Sequence, residues 1–194
     1  AVAGRRIDRP LVLWFPEWPV TAWGLATGSS LDAPIAVVAA NRVVSCSAAA
    51  AAEGVAAGQR RREAQSRCAE LRVLPADPAR DAREFEPVVE CIEQLAPGVQ
   101  VIVPGECALR ARGLAGYVGG EAEAAEVLLE AVVVELSIAS GRVGIADGLF
   151  AAGQAARCGD PVRVVPPGES AAFLAPLPVS RLGDAELTGL LPRL

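Results

Sequence analysis

Short runs rich in Val, Ile and Leu alternate along this chain with longer segments whose apolar residues fall at helical spacing. Pro or Gly marks most of the boundaries. Residues 10–15 (PLVLWF) read as a buried strand, ended by Pro16-Glu17-Trp18-Pro19. Residues 20–26 read as a short helix and 28–33 as a loop. Residues 34–39 (PIAVVA) and 42–46 (RVVSC) read as a hairpin turning at Asn41-Arg42. Ser47 suits the N-cap of a helix over 48–53, which Gly54 ends. A basic helix over 60–68 precedes a strand over 72–74. Asp77 or Asp81 suits the cap of the next helix, on which Phe85, Val88, Val89, Ile92 and Leu95 share one face.

Beyond Pro97-Gly98, residues 99–110 (VQVIVPGECALR) read as two strands joined by a Pro104-Gly105 turn, with Glu106 at the bend. Residues 113–120 read as a loop. Residues 121–136 read as a helix with Glu123, Glu126 and Glu130 on a solvated face and Val127, Leu128, Ala131 and Val132 opposite. Residues 141–146 read as a strand, Asp147 as the cap of a helix over 148–157, and 162–165 as a strand leading into a Pro166-Pro167-Gly168 linker. Ser170 starts a short helix, and Pro176 and Pro178 break the segment after it. Residues 183–194 read as the opening of a further helical unit, so the chain is expected to be a fragment. No internal repeat is visible, and strands alternating with helices predict a layered α+β or α/β fold.

Composition narrows the chemistry. The 194 residues suffice for one large domain or two small ones sharing a discontinuous core, and 52% of them are hydrophobic. The apolar runs are too short and too often broken by charge to span a bilayer, and the N-terminus lacks a signal-peptide core; a soluble, cytoplasmic protein is expected. All 18 basic residues are Arg, and there is no His. Anion contacts must therefore use guanidinium or backbone N–H groups, and Ser-His or Cys-His catalysis is excluded. The net charge of −5 argues against tight autonomous binding of nucleic acid and leaves only a local basic patch for it. Cys46, Cys68, Cys91, Cys107 and Cys158 form no CxxC pair, so no zinc site is expected and most are read as small buried hydrophobes. The glycines of residues 113–120 are not followed by the GK[ST] of a phosphate-binding loop.

Three local patterns, in order and spacing, resemble the N-terminal half of the Y-family, or translesion, DNA polymerases. LVLWFPEWP (residues 11–19) stands where that family has an apolar strand ending in D-x-D. VVSCSAAAAAEGVAAGQRRREAQSRC (43–68) resembles the fingers pattern S/N-Y-x-A-R-x-x-G-V, a loop and E-A. VGIADGLFAAGQAARCGDP (143–161) resembles the palm pattern V-G-I-S-x-N-K-x-x-A-K. Residues 103–106 fall on S-I-D-E. The match is nearest the ImuB branch, whose members are thought to be catalytically inactive. The resemblance implies an α+β fold: a ferredoxin-like palm of mixed sheet with helices on one face (8–17 and 76–165), inserted fingers (18–75), and a linker with the start of a thumb (166–194).

The resemblance also implies which parts of the family's machinery have changed. The metal-binding acids fall on Phe15, with Glu17 two residues on, and on Gly105 and Glu106. The triphosphate-binding Tyr and Arg fall on Ala48 and Ala51, and the palm lysines on Leu149 and Gly153, within a residue. Two-metal catalysis needs several carboxylates around ions about 4 Å apart, and Mg²⁺ is held poorly by one. The expectation is therefore a non-catalytic scaffold without cofactor, acting in bacterial DNA-damage-induced mutagenesis and nucleoid-associated when active. It would link the sliding clamp, an ImuA-type RecA-like partner and an error-prone C-family polymerase, and contact damaged or primer-template DNA.

Other readings stand beside this one. A weakly active DNA polymerase would hold Mg²⁺ with Glu17 and Glu106; otherwise Glu106 is a solvent-facing turn residue and Glu17 a loop acid. Arg60, Arg61, Arg62 and Arg67 are either a phosphate-contacting patch or a solvated helix start paired with Glu63. Trp14, Trp18 and Trp23 either stack on bases or pack the core and its rim. An unrelated α/β binding domain is the third reading. It requires that the positions of Phe15 and Glu106 not be neighbours.

Overall fold

In the computed structural model, residues 9–178 and 181 are described. The elements are β1 (Pro10–Trp14), α1 (Trp18–Thr27), β2 (Ile35–Ala39), β3 (Arg42–Cys46), α2 (Ala48–Ala52), α3 (Arg61–Arg67), β4 (Arg72–Pro75) and α4 (Pro78–Leu95). They continue with β5 (Gln100–Val103), β6 (Glu106–Arg110), α5 (Arg112–Val118), α6 (Glu121–Leu136), β7 (Arg142–Ile145), α7 (Leu149–Ala156), β8 (Val162–Val164) and α8 (Ser170–Leu174). One mixed sheet has the order β5-β6-β1-β7-β8 and a smaller one the order β3-β2-β4, so the α+β expectation holds. The expected helical unit over 183–194 lies outside the described residues.

The described residues pack as two compact units, one of 9–14, 108–130 and 141–178, the other of 15–107 and 131–140. In the first, β1 pairs antiparallel with β7 (Leu11 opposite Ile145, Leu13 opposite Val143), and β7 pairs parallel with β8 through the α7 crossover. One cluster of the core there is built from small side chains: Val12, Ala108, Ala146, Ala151, Ala152, Ala155 and Val165. Such residues let α7 lie close on the sheet. At Gly144 the approach is closer still, because a Cβ there would overlap Ala152 O and Ala156 N and stand 2.9 Å from Ala155 C. Arg9 is buried and ion-paired with Glu121 (3.3 Å) and Asp147 (3.5 Å), and it donates to Val165 O.

In the second unit β2 is buried on both faces, which explains its unbroken apolar run. Ile35 and Val37 face Val20, Trp23 and Leu74, while Ala36 faces the cluster of Val43, Cys46, Ala50, Val55, Ala64, Cys68 and Leu71. The β2–β3 hairpin turns at Ala40 and Asn41 (φ 45° and 62°), one residue earlier than expected, as a two-residue turn with both φ positive requires. Ser47 caps α2 as expected, accepting from Ala50 N–H, and Asp77 rather than Asp81 caps α4.

Two expectations fail. Residues 113–120 are not a loop: Arg112–Val118 is helical, because Leu114 supplies a buried anchor and only Gly119 (φ 111°) breaks the helix. Asp147 is not the cap of α7; that position is Gly148. Its carboxylate is taken by Arg9, Gly168 N–H (2.7 Å) and Ser170 Oγ–H (3.2 Å), which ties down the Pro166-Pro167-Gly168 turn.

Candidate active-site corner

The corner is formed within the second unit by the residues just after β1 and the turn that precedes β6. Phe15 N–H donates to Gly105 O at 2.8 Å, so the Phe15 position lies against the turn that leads into Glu106. The adjacency that the polymerase resemblance requires is present. Pro104 and Gly105 (φ 91°) occupy the two central turn positions, an arrangement that favours Gly at the second.

The filling of the corner is aromatic. Phe15, Trp18 and Phe85 are all buried and meet edge to face, with ring centroids 5.9 Å (Phe15–Trp18), 5.9 Å (Phe15–Phe85) and 4.9 Å (Trp18–Phe85) apart. A Cβ on residue 105 would overlap Trp18 Cβ and stand 2.7 Å from Trp18 Cγ. The space an acid side chain would need at 105 is therefore held by Trp18. Trp18 is itself anchored: its Nε1–H donates to Asp81 O at 2.8 Å. Beneath it, Arg80 and Asp81 form a buried ion pair (2.6 Å), and Arg80 also donates to Pro19 O at 3.2 Å. Burial raises the Asp81 carboxyl above its ordinary value, with the Arg80 hydrogen bond and charge pulling the other way.

The two acids carried over from the resemblance sit differently. Glu106 is not a solvent-facing turn residue; Pro104 and Gly105 use up the turn, and Glu106 opens β6 at 9% exposure. Burial, and then the charge of Glu106, push the Cys107 thiol up to about 12. Glu17 is exposed, in a left-handed conformation (φ 63°) before α1, and desolvation raises its carboxyl. Burial first, then the charge of Glu17, push the Cys46 thiol up to about 11. Among the described residues no three Asp, Glu, Cys or His side chains are grouped to hold a metal ion.

On α2, Ala48 and Ala51 are exposed methyl groups, able to donate no hydrogen bond from their side chains. On α7, Leu149 is 50% exposed and Gly153 is buried. Arg60, Arg61, Arg62 and Arg67 are all exposed at or on α3, and it is Arg67 that pairs with Glu63 (3.5 Å). A backbone bridge sets the exposed Arg42 beside Arg60, an addition to the patch that sequence spacing did not reveal. Trp18 and Trp23 are core residues. Trp14 is half-buried, with the guanidinium groups of Arg142 and Arg157 over its ring at 5.8 and 4.8 Å. The anchor at Arg80 was also missed, since only packing shows that this Arg lies inside.

By fold the chain is a Y-family polymerase palm. It belongs to the impB/mucB/samB family, whose model matches residues 29–157. Among solved structures it is similar to a post-insertion binary complex of Dbh DNA polymerase (18% identity, TM-score 0.76, covering 94% of this chain and 56% of that one). It is also similar to a Dbh ternary complex (18%, 0.73, 89% and 52%) and to DinB from Sulfolobus solfataricus (17%, 0.72, 95% and 57%). The chain spans about half the length of these polymerases. No curated protein matches it. No helix among the described residues is long and apolar enough to cross a membrane.

Proposed function

We propose that this chain is a polymerase palm and fingers put to non-catalytic use, an adaptor in translesion synthesis and damage-induced mutagenesis that needs no metal cofactor. In this reading residues 8–17 and 76–165 serve as palm, 18–75 as fingers and 166–194 as linker and start of a thumb. The observation that carries it is the filling of the corner. Trp18 takes the volume that an acid at 105 would use, Phe15 puts a ring where another acid is expected, and the donor set left behind does not suit a two-metal centre. Alanines at 48 and 51 and the Leu149 and Gly153 positions leave the charge of an incoming triphosphate uncompensated. Such a protein keeps the shape of a polymerase for its partners, here the sliding clamp, an ImuA-type RecA-like protein and an error-prone C-family polymerase, at the bacterial nucleoid. Its contact with damaged or primer-template DNA would run through Arg60, Arg61, Arg62 and Arg67 with Arg42 beside them.

Primer extension on primer-template DNA with Mg²⁺ or Mn²⁺ tests this. No templated incorporation is expected. Incorporation that disappears in Glu106→Ala would instead establish the weakly active polymerase that uses Glu17 and Glu106. For the DNA role, replacing Arg60, Arg61 and Arg62 with Ala should flatten the slope of log affinity against log salt by about 2 to 3. An unchanged slope would remove these residues from the interface.

A further inference from the structure

The outer edge of β5 is built unlike an ordinary sheet edge. β5 ends its sheet, so among the described residues the N–H and C=O groups on its outer side have no strand partner. All four residues are exposed, with Val101 at 52%, Ile102 at 43% and Val103 at 51%. Edge strands are ordinarily blunted by charge, Pro or a covering element, and QVIV carries no charge or Pro within it. Beside the strand, α4 leaves an apolar groove of about 360 Å³ lined by Phe85, Val89, Val101 and Pro104, together with the exposed Glu86 and Glu90. Among the described residues neither of these acids has an ion-pair partner. The next acid on the helix, Glu93, is used differently: it accepts Gly98 and Val99 N–H at 2.9 and 2.8 Å and fixes the start of β5.

We propose that β5 takes up an extended, cationic peptide segment of a partner protein as an added strand. An apolar side chain of that segment enters the groove, and Arg or Lys residues pair with Glu86 and Glu90. Backbone pairing supplies the affinity, and the two acids supply the selection for positive charge. A second copy of the chain fits less well. A symmetric β5–β5 contact presents the same acidic groove to itself, in a protein of net charge −5. Nucleic acid is disfavoured by the same acids. The proposal does not depend on whether the corner is catalytic, and its readout is binding.

The probe is a fluorescent, end-blocked heptapeptide alternating Arg and Val, titrated against the 194-residue chain and followed by anisotropy. Saturable binding is expected, weakened roughly tenfold by Glu86→Gln with Glu90→Gln and by Val101→Asp, and equally by Pro at the peptide's centre or Glu in place of its Arg. Absence of saturation, or equal affinity of the Pro-containing peptide, would overturn the proposal, as would binding that neither variant changes. A concentration-dependent dimer in sedimentation that Val101→Asp abolishes would overturn it in favour of self-association.

Discussion

Gly105 and Gly144 are both denied a side chain, but by different parts of the molecule. At Gly144 the obstacle is backbone: Ala152 O and Ala156 N of α7, where the helix lies on β7. The backbone of a helix cannot be moved aside without losing the crossover itself, so this glycine belongs to the fold. At Gly105 the obstacle is a side chain, Trp18, in a turn whose φ of 91° already favours glycine. Nothing about a sheet requires an indole there. The first glycine shows what the palm needs in order to form, and the second marks the corner that the proposed non-catalytic reading takes to be closed by Trp18.

The comparison can be broken most forcefully at Gly144. Gly144→Ala should cost more than about 4 kcal/mol and leave the chain largely unfolded by far-UV circular dichroism, because neither strand nor helix can give way. A cooperative unfolding transition close to that of the parent would show that the α7 crossing is loose.

Next in size is the support under Trp18. Arg80→Met leaves Asp81 buried without its cation, at a cost of about 3 kcal/mol in urea unfolding. The carboxyl sets the sign of the pH effect. With its folded pKa raised further by the loss of Arg80, Asp81 favours folding when protonated. The deficit should therefore be smallest below the ordinary value of 3.8 and grow as pH rises through the folded value. A deficit independent of pH would show that Asp81 is not the group that suffers.

A smaller effect belongs to the fingers side. Ser47 Oγ accepts Ala50 N–H and Ile35 N–H and donates to Ala33 O at 2.9 Å, so Ser47→Ala should cost about 1 to 2 kcal/mol. Smallest of all, labelling with a thiol reagent at pH 8 should find one fast cysteine, the exposed Cys158. Cys46, Cys91 and Cys107 are buried and held as neutral thiols, with values near 11, 11 and 12, and Cys68 is buried as well. More than one fast thiol would mean that one of these cores opens readily.

Much of this was legible in the chain because it is local. The strand runs, the Ser47 cap, the helical face at Phe85, Val88 and Ile92, and the Pro104-Gly105 turn arise from side-chain period and turn chemistry. The place of the corner was legible too, since Phe15 and Glu106 were expected to be neighbours and Phe15 N–H reaches Gly105 O. The features that the chain concealed depend on contacts distant in sequence. Gly113 and Gly116 read as breakers, yet Leu114 buries and α5 forms. Asp147 has the pattern of a cap, yet Arg9, far away in sequence, takes its carboxylate. Trp18 reads from the chain either as a base-stacking ring or as core and rim packing, and no spacing rule says that its Cβ lies against residue 105. Glu106 looked like a turn acid, and only the tightness of a two-residue turn moves it inside.

The claim at the centre is that Trp18, and not the turn alone, excludes a side chain at 105. Gly98 supplies the control, with nearly the same backbone (φ 97°) and nothing within 4 Å of the site of a Cβ. Urea unfolding of Gly98→Ala and Gly105→Ala separates the two effects. Gly98→Ala should cost about 1 kcal/mol, the strain of a left-handed alanine. Gly105→Ala should cost that plus a further ~2 to 3 kcal/mol from overlap with Trp18. Equal costs would contradict the account, because the corner would then have room for a side chain at 105.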